Sequence, residues 1–393
     1  MSKLRIALIH NVKPSAKGSH LPEDYYSECD SPKTVQAIVK TLESSGHAVF
    51  PVEANRRLPD WLKKNPVDLA FNIAEGFQGE AREARVPALL ELLEIPYTGS
   101  GVLALALALD KARSKQLFRA AGVPTPNFQL FSQADESLDR RLHFPLIVKP
   151  NREGSAKGIW ASSVVHHETG LRIQIQKVLD RYNQEVLVEE FIDGTELTVG
   201  ILGLDQVLPV LEIDFSECAP SGEFFYSWRM KEFQCNRDLH LNPRFWCPAR
   251  LSDSVTEGVG AVALRAAKAV GVRDISRVDI RLSSDGIPFV LEVNPLPGLD
   301  PEESNFPIIS KVAGITYEAL LAHLVHLALE RSQGKVPSSI PLSKNKDSSL
   351  KAPQGRGLPP AGAKEGAEPP GVPAVARRGT RQKNPKEEDL GRR

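Results

Sequence analysis

The 393-residue chain lacks most features that would tie it to a membrane, an oxidising compartment or a nucleic acid. No apolar run approaches the roughly 20 residues that a spanning helix requires. The four cysteines, Cys29, Cys218, Cys235 and Cys247, are scattered, with no Cys-x-x-Cys pair. That disfavours a disulfide framework or a zinc ribbon and predicts reduced cysteines in a cytoplasmic protein. Lysine plus arginine number 49, and so do aspartate plus glutamate. Such a balance argues against nucleic acid or a membrane surface as the main partner. There is no internal repeat. The opening SKLRIALIH has no small-residue cleavage site after it and reads as a first strand rather than a signal peptide.

What is present is an ordinary globular composition, 41% hydrophobic and 25% charged, on a chain long enough for two or three domains. Leu4–Ile9, Ala48–Val52 and Val67–Ile73 read as strands. The Val35, Ile38, Val39, Leu42 spacing predicts a helix stopped by Gly46, and Val86–Leu93 predicts another. Alternating strands and helices predict a parallel α/β domain over 1–110. A second lobe, 111–192, opens with a basic helix and carries strands Leu146–Lys149 and Val186–Ile192. A third, 193–330, holds strands Glu196–Leu202 and Val207–Ile213, a helix Val255–Val270, a hairpin and a closing helix from Tyr317. Residues 331–393 are rich in Pro, Gly and charge and read as a disordered tail, solvated rather than bound to a defined partner.

The most informative stretch is Arg277–Asn294, RVDIRLSSDGIPFVLEVN. Asp285-Gly286 predicts a two-residue hairpin turn. Val278 then faces Val293, Ile280 faces Leu291 and Leu282 faces Phe289, all on one apolar face. On the opposite face Asp279 meets Glu292 and Arg277 meets Asn294. Directly opposed side chains lie about 5 Å apart, so the two carboxylates repel unless a positive charge intervenes. A hard cation such as magnesium takes oxygen ligands and resolves the conflict, with Asn294 adding a carbonyl. The competing reading is a solvent-facing polar strand whose acids are neutralised by Arg277 and Arg281.

Phe144–Trp160, FPLIVKPNREGSAKGIW, ends an apolar strand in Lys149 and follows it with Gly154, Ser155 and Gly158. Glycines let backbone N–H groups approach phosphate oxygens, and a lysine adds a point charge. This is neither a Walker A motif nor a dinucleotide fingerprint. An ordinary loop is the alternative, just as a solvated face is the alternative for Lys111 on its basic helix. In Val186–Ile201, extended backbone suits an adenine edge and Glu196 suits ribose hydroxyls.

Together, IPYTGSG (95–101), LDKARSK (109–115), VKPNREGSAKG (148–158), EEFIDGTELTVGIL (189–202), CPA (247–249), RVDIRL (277–282) and LEVNPLPG (291–298) resemble the D-alanine–D-alanine ligase family of the ATP-grasp superfamily. The resemblance implies an α/β, ATP-grasp fold: an N-terminal parallel α/β domain and two lobes clasping ATP between antiparallel sheets. It implies a ligase that joins two amino acids through an acylphosphate, with two magnesium ions, manganese being an alternative. Lys111, Lys149 and Lys231 would meet the nucleotide, as would Glu189, Glu190, Ile192 and Glu196. Asp279, Glu292 and Asn294 would hold metal. Arg277, Ser155 and Gly298 would serve catalysis, Arg277 and the Gly298 N–H on the oxyanion. A homodimer in the cytoplasm, making cell-wall precursors, is the family expectation.

Three departures concern the substrates. The family's amine-holding glutamate finds only Glu28, one position out of register. Glu232 stands where the family has a tyrosine in the mobile loop. The His-Gly motif is replaced by FNIAEGFQGEARE (71–83), with Glu75 and Glu80 as further candidates for the amine. Joining two D-alanines is therefore one reading, a ligase for another amino-acid or peptide pair a second, and a non-catalytic nucleotide binder a third.

Overall fold

The computed structural model describes residues 3–13, 21–234, 236–335 and 339–340. Ile6, Ala7, Leu8 and Ile9 are fully buried on both faces, the pattern of a central parallel strand. They form β1 (Arg5–His10), flanked in parallel by β2 (Ala48–Glu53) and β3 (Leu69–Asn72). Helix α1 (Pro32–Ser44) connects β1 to β2. Its first turn is set by Pro32 and by Ser31, whose hydroxyl accepts from the Thr34 N–H at 3.0 Å. Helices α2 (Leu58–Lys64) and α3 (Arg85–Leu92) complete this layer. Helices α4 (Val102–Leu109) and α5 (Lys111–Ala120) follow, joined by Asp110, whose carboxylate caps α5 through the Arg113 N–H at 3.0 Å.

A four-stranded antiparallel sheet comes next, ordered β4-β7-β5-β6, from β4 (Phe128–Phe131), β5 (Leu146–Pro150), β6 (Val164–Val165) and β7 (Val186–Glu190). Helix α6 (Glu168–Tyr182) packs on it. The larger antiparallel sheet holds β8 (Gly194–Leu202), β9 (Gln206–Val207), β10 (Leu211–Asp214), β11 (Arg244–Trp246), β12 (Ile275–Ser283) and β13 (Pro288–Asn294). Helix α7 (Trp228–Glu232) falls between β10 and β11 in the chain, and α8 (Asp253–Val270) packs on the sheet. The strand expected over Val207–Ile213 is two strands, because Pro209 supplies no N–H for a ladder.

Packing crosses the chain divisions. Ala104 and Ala108 of α4 lie in the core formed by β8, α8 and β12. The closing helix α10 (Tyr317–Ser332), preceded by α9 (Asn305–Val312), packs on β3 and α1. No single described helix is long and apolar enough to cross a membrane. The expected tail starts later than residue 331. Helix α10 runs to Ser332, and Arg331 donates to Asp274 at 2.5 Å and to the Tyr97 carbonyl at 2.6 Å. Residues 341–393 lie outside the described residues. Cys29, Cys218 and Cys247 are free thiols.

The β12–β13 hairpin corrects the expected register. Its turn has three residues, since Ser283 donates to the Ile287 carbonyl and Gly286 sits at φ +78°. Leu282 pairs with Pro288 and Ile280 with Val290, not with Phe289 and Leu291. A bulge at Leu291 then restores the expected pairing, and Asp279 faces Glu292 while Arg277 faces Asn294. Leu291 is thereby turned out of the apolar face and into the cleft described next.

Candidate active site

The cleft lies between the two antiparallel sheets. Lys149 of β5, Glu189 and Glu190 of β7, Glu196 of β8, Arg277 and Asp279 of β12, and Glu292 of β13 all line it, together with Ser155, Ile192 and Lys231. Strand alternation explains this convergence. Residues two apart share a face, so Arg277 and Asp279 point the same way, as do Glu292 and Asn294. Lys111 enters from the start of α5 and pairs with Glu292 at 2.9 Å. Asn294 donates to Asp279 at 2.9 Å. Gly298 lies apart from these, on a smaller neighbouring cavity.

The acids of the hairpin are held by cations. Arg277 donates Nε and Nη2 to the two oxygens of Asp279, both at 2.9 Å, and Thr198 donates its hydroxyl to the same carboxylate. Burial alone would raise the Glu292 carboxyl, but Lys111, then Lys149 and Arg277, outweigh it and hold Glu292 down to about 2. Arg281 does not neutralise these acids. It binds Glu196 at 2.9 Å, and Glu196 also accepts from the Tyr226 N–H at 3.3 Å.

A second charge cluster lies deeper. The Glu189 carboxylate accepts from Lys149 on one oxygen and forms an ion pair with Lys115 at 2.8 Å through the other. Lys115 is fully buried and also donates to Thr125 at 3.0 Å. Burial pushes its ammonium down to about 8 against the pull of Glu189. The basic face of α5 is thus not solvated at Lys111 and Lys115, which overturns the solvated alternative. Lys115 was missed although it lies four residues after Lys111, on the same helix face. Glu190 points elsewhere for its bonds, accepting from Asn127 at 3.0 Å and from the His143 N–H at 3.2 Å.

The loop around Ser155 is gripped from the N-terminal region. Glu28 accepts from the Gly154 N–H at 2.6 Å, from Arg82 at 2.5 Å and from Lys157 at 3.1 Å. Asp24 accepts from the Gly158 N–H at 2.8 Å. Ser155 and Ala156 both adopt left-handed backbone, φ +51° and +57°, which costs about 1 kcal/mol or more for each non-glycine residue. Gly158 is required by packing as well as by φ, since a Cβ there would meet Pro150 at 2.5 Å. Trp228 of α7 donates to Ser27 at 2.7 Å and stacks against Trp160 with ring centroids 4.7 Å apart. Loop, N-terminal segment and α7 thereby enclose Lys231.

Comparison with known proteins agrees with this geometry. Residues 117–326 match the family model described as D-ala D-ala ligase C-terminus. The D-alanine–D-alanine ligase of Desulforudis audaxviator is 36% identical over 302 residues, covering 75% of this chain and 92% of the relative. The chain belongs to the D-alanine–D-alanine ligase family. The protein y4sG of Sinorhizobium fredii is 35% identical over 313 residues, covering 77% and 89%. The crystal structure of the Bacillus anthracis D-alanine–D-alanine ligase complexed with ATP superposes with a TM-score of 0.65 at 26% identity, covering 84% of this chain and 99% of that one. The fold is that of an ATP-grasp enzyme, and the family's members are ATP-dependent ligases that use ATP and magnesium.

As a family member, the chain meets the chemical demands of the metal. Two carboxylates and a carboxamide from adjacent strands form an oxygen-only donor set, which suits a hard divalent ion. Among the described residues no group of three or more His, Cys, Asp or Glu side chains competes for that role. The substrate end departs from expectation. Glu28 is engaged by Arg82, Lys157 and the Gly154 N–H, and so holds the Ser155 loop in place. Glu80 is exposed. Glu75 lines the cavity that also contains Gly298. Glu232 pairs with Lys13 at 2.9 Å.

Proposed function

We propose that this ligase phosphorylates the carboxylate of one amino acid with ATP and joins the resulting acylphosphate to the amine of a second, D-alanine being the first pair to test. The observation that carries this reading is the convergence on one cleft of Lys149, Arg277, Asp279 and Glu292, with Lys111 bonded to Glu292. Lys111 and Lys149 offset the charge of the terminal phosphates, which phosphoryl transfer needs more than it needs a nucleophile. Asp279, Glu292 and Asn294 hold magnesium, which when bound draws negative charge off the phosphoryl oxygens. Arg277 stabilises the oxyanion of the tetrahedral intermediate, assisted by the Gly298 N–H from the adjoining cavity. Glu189, Glu190, Ile192 and Glu196 border the nucleoside, the strand Val186–Glu190 offering backbone groups and Glu196 a carboxylate for ribose. Lys231 and the Ser155 loop close on the phosphates.

The same reading divides the chain into lobes near residues 110 and 192 and places a dimeric enzyme in the cytoplasm, supported by the free thiols and the family expectation. The test is phosphate release from purified protein with ATP, magnesium and a panel of amino acids. Release with D-alanine alone supports the first pair. Release only with a different pair moves the function to another dipeptide. No release with any of them removes the ligase reading.

A further inference from the structure

Beside the cleft is an enclosed cavity of about 30 Å³, lined by Asp30, Asn72, Glu75, Thr98, Gly298 and apolar walls that include Leu299. A water needs ~10–15 Å³ on this measure, so there is room for a small headgroup and not for a whole amino acid. The cavity sits against the end of the metal hairpin, since Gly298 follows Asn294 by four residues.

Its charge is out of balance. Neither Asp30 nor Glu75 receives a hydrogen bond on its carboxylate or an ion pair from any described residue. Glu83, 7% exposed, is in the same position. Glu28, close enough to act on Glu75, has its own charge cancelled by Arg82 and Lys157. Burial first, then Asp300, pushes Asp30 up to about 7. Burial first, then Glu28, Glu83 and Asp30, raises Glu75 well above the carboxylate range, with Lys231 pulling the other way. Partly buried carboxylates such as Asp30 and Glu75, and the buried Glu83, cost stability when no cation is paired with them.

An independent feature marks the cavity as a ligand site. Asn72 is only 5% exposed and lines it. Its Oδ1 accepts from the Ala74 N–H at 3.2 Å, but its amide N–H groups have no acceptor among the described residues. Thr98 beside it accepts from the Asn72 backbone N–H at 3.1 Å and presents its own hydroxyl proton. Donors and acids thus face one small polar space.

We propose that Asp30 and Glu75 form a subsite for a side-chain ammonium, so that the amine-donating substrate is a short diamino acid. This rests on the ligase reading above and adds its substrate class. Asp30, Glu75 and Glu83 outnumber one α-ammonium and Lys231 by one, and a second ammonium restores balance. Apolar walls sharpen the choice, because a site built to bond a polar group strongly rejects the analogue that lacks it.

The test compares D-2,3-diaminopropionate with D-alanine as amine donor, with D-alanine as acyl donor, following phosphate release and the mass of the dipeptide. Wild type is expected to favour the diamino acid in kcat/KM by at least about tenfold. Asp30→Asn and Glu75→Gln are each expected to bring that ratio close to one with the KM for ATP unchanged. Preference of wild type for D-alanine, or a ratio unaltered in both variants, overturns the proposal. If no amino acid gives phosphate release, the ligase reading fails, and calorimetry on the full chain still decides the subsite. Binding of D-2,3-diaminopropionate about tenfold tighter than D-alanine, and lost in Glu75→Gln, supports it. Equal affinities overturn it.

Discussion

The hairpin and the neighbouring cavity are both acidic, but they treat their acids in opposite ways. At the hairpin, Asp279 is held bidentately by Arg277 and Glu292 by Lys111. In the cavity, Asp30 and Glu75 have no such cation bonded to them among the described residues. Paired charges stay ionised and keep their geometry. Unpaired buried ones drift toward neutrality and leave a demand for a ligand. The hairpin is therefore preorganised without substrate, whereas the cavity depends on what enters it. Deleting an acid should accordingly abolish chemistry at the hairpin and change selectivity at the cavity.

Glu292→Ala gives the largest expected effect. Phosphate release should fall about a thousandfold or more, as when a group stabilising transition-state charge is removed. The fold should survive, because Lys111 keeps its bond to the Glu153 carbonyl at 2.5 Å. Thermal melting and turnover measured on one preparation check this, and an active Glu292→Ala enzyme would remove the metal-ligand assignment. Next comes Lys115→Met. Lys115 is fully buried against Glu189, and breaking a buried pair costs about 3–5 kcal/mol. Denaturant unfolding should register that loss, and Glu189, left with Lys149 alone, should bind nucleotide less well. Unchanged stability would mean that Lys115 does not compensate Glu189.

A pH experiment separates the two kinds of acid. Burial raises Glu83 to about 8 from its ordinary 4.5, with Glu28 and Glu292 adding to the rise and Arg82 and Lys111 opposing it. The unfolded chain releases this proton near 4.5 and the folded chain only near 8. Between those values the folded state holds the extra proton, so stability falls as pH rises. Glu83→Gln removes that slope. Urea unfolding should show the variant equal to the parent at pH 5 and more stable by about 1 kcal/mol or more at pH 8.5. Equality at both values would place Glu83 among the compensated acids. Glu292, depressed from 4.5 to about 2, has the opposite sign, and its stabilisation is lost progressively as pH falls from the first value through the second.

Strand periodicity made the acidic face of the hairpin legible. Asp279, Glu292 and Asn294 fall on one face whatever the turn length, provided that the strands stay in phase. They did so through two offsetting shifts, a turn one residue longer than expected and a bulge at Leu291. Nothing in LEVN marks that bulge, because leucine suits either face. Lys149 was legible from its place at the end of an apolar strand. Lys115 was not, since a basic helix face looks alike whether it meets water or a buried acid. Thr198, opposite Asp279 on β8, requires the non-local strand order. The partners of Glu28 were hidden for a related reason. Nearness in sequence to the amine position says nothing about Arg82 and Lys157, 54 and 129 residues away. Asn72 gave no signal at all, because an unbonded amide is a property of packing and not of sequence.

The smallest expected effect concerns the C-terminal segment, and two truncations sharpen it. Asp274 is 1% exposed and takes Arg331 at 2.5 Å and the Gly99 N–H at 2.8 Å. Arg331 also ties α10 to the Tyr97 carbonyl. Ending the chain at Glu330 strands Asp274 without its cation, which costs about 3 kcal/mol and shows as a lower melting temperature. Ending it at Ile340 keeps that pair and also keeps the Ile340 carbonyl that accepts from Gln206 at 2.9 Å. Every residue assigned here to cleft or cavity lies between Asp30 and Leu324. The 1–340 chain should therefore retain wild-type stability and turnover within about twofold, a change under half a kcal/mol in barrier. A large loss of turnover in 1–340 with the melting temperature unchanged would make residues 341–393 part of the catalytic unit, and the contrast between hairpin and cavity would then be incomplete.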